Sequence, residues 1–85
     1  MKTIDAIREK LIKGLNPSEI DVKDVSYKHA GHSGWRPGGE THFEVTMKAK
    51  VFEGKSAIQR HRMVNKILAT ELANKIHALQ LDLQS

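Results

Sequence analysis

His42-Phe43-Glu44-Val45-Thr46-Met47-Lys48-Ala49-Lys50-Val51 alternates polar and apolar side chains through ten residues without a break. A period of two marks a strand with one wet and one dry face. Phe43, Val45, Met47, Ala49 and Val51 are expected on the core side, and His42, Glu44, Thr46, Lys48 and Lys50 in solvent.

Downstream, Phe52-Glu53-Gly54-Lys55 reads as a turn. Ser56-Ala57-Ile58-Gln59 has the form of a capping box, in which serine and glutamine side chains satisfy each other's exposed amides. Val64, Ile67, Leu68, Leu72 and Ile76 then share one face of a helix expected to run to about Lys75. Leu79, Leu81 and Leu83 return to alternation, giving a last strand from near His77.

Upstream, residues 29–40 are glycine-rich and include Pro37 and Gly38-Gly39. They form a loop longer than that of an ordinary hairpin, a class that is often functional. A short strand is expected from Ile20 to Tyr27, with a slip in its alternation near Asp24 that suggests a bulge. Ile4, Ile7, Leu11, Ile12 and Leu15 mark a first helix, with Thr3 as its cap, Lys10 and Lys13 in its last turn, and Gly14 and Asn16-Pro17 ending it.

The order is α-β-β-α-β in one domain, residues 1–85, of the α+β class: a three-stranded mixed sheet covered by two helices. The first two strands pair antiparallel, and a right-handed crossover returns the third parallel to the second. That topology brings His29, His32, His42 and His77 to one rim of the sheet. Gly54-Lys55-Ser56, Arg60, His61 and Arg62 fall at the other end, roughly 27 Å away along the helix.

A chain of 85 residues buries only ~60–65% of its unfolded surface, so surfaces and loops rather than an enclosed cavity must carry function. No apolar run approaches the ~18 residues of a membrane span, and the amino terminus lacks the apolar core of a signal peptide. A soluble, cytoplasmic protein that is a monomer alone is expected. There is no cysteine, so thiol catalysis and thiolate ligation by this chain are excluded, and the five histidines are its soft donors. A formal charge of +4 permits an acidic partner or nucleic acid without requiring one.

Zinc could be held by three imidazoles, but no HExxH-like helix supplies a general base. His32 and His42 read as solvent-facing residues. His77 shares parity with Leu79, Leu81 and Leu83, so its ring starts on the core side, and it reads equally as a ligand or as a structural residue. Gly54-Lys55-Ser56 is not a P-loop, because Ala49 stands where the first glycine is needed. The helix start beside it, with Lys55, Arg60, Arg62 and Lys66, is either an anion site or a solvated basic turn. His61 lies near the middle of the apolar arc and is expected to be packed. Trp35 and Arg36 at the loop tip have the composition of a partner-binding anchor.

Ser26-Tyr27-Lys28-His29-Ala30, Gly39-Glu40-Thr41-His42-Phe43, Phe52-Glu53-Gly54-Lys55-Ser56, Arg60-His61-Arg62-Met63-Val64 and Ile76-His77-Ala78-Leu79 together resemble the BolA family, in order and over most of the chain. The resemblance implies a fold like class II KH domains and a non-enzymatic adaptor. It further implies partnership with monothiol glutaredoxins of CGFS type and a shared two-iron two-sulfur cluster, in cluster trafficking or iron and redox regulation. By the same resemblance His77 is one cluster ligand and His29 the loop ligand, with His32 as the alternative, while the partner's cysteine and glutathione supply thiolates. The family's second implied activity is DNA-binding transcriptional regulation linked to stress response and cell morphology, here through Lys55, Arg60, Arg62 and Lys66. The loop with Gly34-Trp35-Arg36-Pro37 is longer than in common members. RNA binding by KH analogy lacks its GxxG clamp.

Overall fold

A computed structural model describes residues 2–26 and 41–85. Helix α1 spans Thr3–Leu15, strand β1 Glu19–Asp24, strand β2 His42–Lys48, helix α2 Ala57–Ile67, helix α3 Ala69–Asn74 and strand β3 Ala78–Gln84. The sheet order is β1-β2-β3, with β1 antiparallel and β3 parallel to β2. This is the expected α-β-β-α-β arrangement, its second helix divided in two.

Register follows the alternation. Ile20 faces Met47, Val22 faces Val45, and Phe43, Val45 and Met47 align with Leu79, Leu81 and Leu83. Against this face pack Ile7, Leu11 and Leu15 of α1, Val64 of α2, and Leu68 and Ile76. Ile12 is the exception in the α1 stripe, at 44% exposed.

Several boundaries differ from the sequence reading, each for a local reason. The helix α1 cap is Lys2 and not Thr3, which is buried inside the first turn. Its carboxyl end is set by Asn16, which takes φ 47° and returns its amide to the Ile12 carbonyl. Strand β1 stops at Asp24 without a bulge. The Asp24 carboxylate accepts the Ser26 amide and hydroxyl at 3.0 and 2.6 Å, bending the chain out of the sheet.

Strand β2 ends at Lys48, and Lys50–Phe52 forms a 3₁₀ turn. The turn inverts the expected parity: Phe52 is fully buried and Val51 is 44% exposed. Gly54, with φ +73°, completes the reversal in a conformation that a side chain resists. The capping box forms as read, with Ser56 N to Gln59 Oε1 at 2.8 Å and Gln59 N to Ser56 Oγ at 3.2 Å.

The helix expected to reach Lys75 is interrupted at Leu68, whose backbone sits at φ −97°, ψ 17°. Bonds from Leu68 N to Val64 O and from Leu72 N to Leu68 O, at 3.0 and 2.9 Å, carry the chain from α2 into α3. Beyond Leu68, the nearly buried Glu71 meets Lys10 of α1, with Nζ to Oε2 at 2.7 Å. Among the described residues no helix is long and apolar enough to cross a membrane.

Candidate functional site

The rim where β1 ends and β2 and β3 begin is built around Thr41 and Ser26. Ser26 Oγ gives its proton to Asp24 and accepts the amides of Thr41 and His42 at 3.0 and 3.1 Å. Val25 N donates to His42 O at 2.8 Å. The two ends of the segment 27–40 are thus joined by a buried polar clasp. Neither end could shift without stranding polar groups from water, at a cost of roughly 1–3 kcal/mol each.

The same residue carries the third strand. Thr41 O accepts from His77 N at 2.7 Å and from Ala78 N at 3.2 Å, and parallel pairing starts one step on, with His42 opposite Ala78. His77 therefore sits just outside β3, where strand parity no longer sets its side. It is exposed rather than core-facing.

His42 corrects the sequence reading. Expected in solvent, it is 3% exposed, with Nδ1 2.8 Å from the Thr41 hydroxyl. Its ring lies 5.2 Å from that of His77, tilted by 52°. The clasp over the first residue of β2 overrides the alternation that governs the strand's middle. A shallow hollow of about 150 Å³ adjoins it, lined by Val25, His42, Phe43, Glu44, Ala78, Leu79 and Gln80.

His29, His32, Trp35 and Arg36 lie outside the described residues. Among the described residues no group of three or more histidine, cysteine, aspartate or glutamate side chains could hold a metal ion by itself. What the described rim offers is one exposed imidazole, a donor type suited to iron, on a backbone fixed at both its own amide and the next. That donor fits a metal centre completed by others.

At the other end Lys55, Arg62 and Lys66 are exposed. Arg60 is committed elsewhere: Nε donates to Phe52 O at 3.2 Å and Nη1 to Leu83 O at 3.0 Å, with the guanidinium 5.9 Å from the Phe52 ring centre. His61 is exposed and not packed: on α2, Arg60 and Met63 are half-buried and Val64 is buried.

The sequence reading did not single out Ser26 and Thr41. The available signal was Asp24-Val25-Ser26, a carboxylate two residues before a serine, which is a turn pattern with a known mechanism.

Fold and rim together define a small α+β protein that presents a histidine beside a buried polar clasp. A family model described as BolA-like protein matches residues 11–85. The chain is 48% identical over 77 residues to Protein BOLA1, chloroplastic, of Arabidopsis thaliana, covering 88% of this chain and 48% of that protein. It is 47% identical over 79 residues to SufE-like protein 1, chloroplastic/mitochondrial, of the same plant, covering 88% of this chain and 21% of the relative. Among solved structures, the BolA domain of SufE1 from Arabidopsis thaliana superposes with a TM-score of 0.86 at 44% identity, over 95% of this chain and 88% of that one. The chain belongs to the BolA family. It spans between about a fifth and a half of the length of these two curated relatives.

Proposed function

We propose that this protein pairs with a CGFS-type monothiol glutaredoxin and shares a two-iron two-sulfur cluster with it, in cluster trafficking or iron and redox regulation. His77 would hold iron together with His29, or with His32 as the alternative loop ligand. Trp35 and Arg36 would touch the partner, and the partner's cysteine and glutathione would complete the thiolate set. Imidazole ligation raises a cluster's reduction potential and favours its transfer or sensing. The protein is a monomer alone and a heterodimer in the complex, in the cytoplasm.

One observation carries this reading: His77 is exposed while its backbone is tied to Thr41, which also closes the base of the segment containing His29 and His32. An isolated exposed histidine would have no such framework. Family membership, with relatives of the BolA and SufE-like kinds, supports the partner class.

The test is anaerobic mixing with cluster-loaded glutaredoxin, followed by visible absorption and circular dichroism. A new spectrum in wild type that His77→Ala abolishes, and that His29→Ala or His32→Ala alters, is expected. Spectra unchanged by His77→Ala would rule the ligand assignment out. A second reading, DNA regulation through Lys55, Arg62 and Lys66, is favoured by their shared exposure at the far end of the molecule.

A further inference from the structure

We propose that His42 is a positioning residue for His77: held by Thr41, its buried ring fixes the direction in which the His77 imidazole is offered to a partner's iron centre. The proposal rests on the cluster-binding reading and adds to it a residue that does not itself touch iron.

Backbone anchoring alone does not aim an imidazole. Thr41 O fixes the His77 amide, yet the side chain keeps two free torsions on an exposed position. Metal ligation needs those torsions set beforehand, and ligating histidines depend on outer partners for their orientation. Among the described residues the ring in contact with His77 is that of His42, 5.2 Å away.

The hydrogen bonds fix His42 in turn. Ser26 Oγ spends its proton on Asp24 and fills its two lone pairs with the Thr41 and His42 amides. The 3.3 Å contact from Thr41 Oγ1 to Ser26 Oγ therefore finds no free acceptor, and the Thr41 proton turns to His42 Nδ1 at 2.8 Å. That holds the His42 ring to Thr41 through Nδ1. A ring 3% exposed and so bound is a platform rather than an iron ligand.

The test uses two measurements on wild type, Thr41→Val, Thr41→Ser, His42→Ala and His77→Ala. The first, on the metal-free protein, is nuclear magnetic resonance of the histidine rings, reading the His77 nitrogen shifts and its cross-relaxation with the His42 ring. The second is the lifetime of the cluster circular dichroism in the complex with cluster-loaded glutaredoxin.

Thr41→Val should break the ring-to-ring contact and shorten the cluster lifetime by about 10–100-fold, the usual effect of losing an outer partner. Thr41→Ser should restore both, and His77→Ala should abolish the cluster signal altogether. If His42→Ala fails to fold, the valine and serine pair carries the result. Wild-type ring signals and lifetimes in Thr41→Val would overturn the proposal. So would complete cluster loss in His42→Ala with an undisturbed His77 ring, which would make His42 a ligand. Should wild type itself form no altered cluster spectrum, the parent reading falls, and the metal-free ring contact alone still decides whether His42 orients His77.

Discussion

Arg60 shows how a residue type can mislead when its neighbours in space are unknown. In the sequence it stands beside Arg62 as one of a basic pair, but its guanidinium ties the Phe52 turn to the end of β3 through two carbonyls. Hydrogen bonds from a charged group contribute about 1.5–3 kcal/mol. Arg60→Ala should therefore lower stability by roughly that amount, whereas Arg62→Ala, on an exposed site, should stay within about 0.5 kcal/mol. Urea midpoints of the two variants decide it, and equal midpoints would contradict the structural role. His42 misled in the opposite sense, since alternation predicts which face a strand residue occupies but not whether a loop end covers that face. Alternation read correctly for Val45 and Met47, which lie inside the paired register, and failed for His42 and Val51, which lie at or beyond its ends.

At the scale of elements, the interruption at Leu68 could not be read from a continuous apolar face, because Val64 before it, Leu68 itself and Ile76 after it are all buried. Beyond it, the Lys10 to Glu71 pair ties α3 to α1 over 61 residues of chain. Burial pushes the Glu71 carboxyl up, but the Lys10 hydrogen bond, a backbone amide and the charges of Lys10 and Lys75 outweigh it and hold the group below its usual range. A carboxyl depressed in the folded state adds stability above its unfolded value of about 4.3, and that contribution is lost as pH falls through the lower folded value. Glu71→Gln should then be less stable than wild type at neutral pH by on the order of 1 kcal/mol, a small figure because Lys10 is half in water. The gap should close in acid below about pH 4. A gap that persists or widens in acid, measured by denaturant titration at both pH values, would reverse the sign of this account. The Glu71 backbone carbonyl separately accepts the Lys75 and Ile76 amides at 2.8 Å each, which steadies the chain just before His77.

For the whole molecule, topology legible in the sequence separated two ends, and the structure gives them different characters. The histidine end is built, with buried hydrogen bonds converging on Thr41. The basic end keeps Lys55, Arg62 and Lys66 in solvent with its capping box satisfied. If DNA binds there, reversing the charge of Arg62 and Lys66 should weaken binding for all sequences and flatten its salt dependence, since each lost phosphate contact removes about 0.9 from the log–log slope. Unchanged affinity and slope in gel-shift titrations would remove DNA from that surface. Topology placed His42 and His77 on one rim, but the burial of His42 was not legible, because it accompanies the meeting of Ser26 and Thr41 across 15 positions of sequence. The measurement that bears most directly on the central claim is pulsed electron paramagnetic resonance of the reduced cluster complex, with nitrogen-15 histidine incorporated in this chain alone. Cluster ligation by His77 predicts a strong nitrogen coupling that changes with the label and loses one component in His77→Ala. A spectrum indifferent to both the label and the substitution would contradict it.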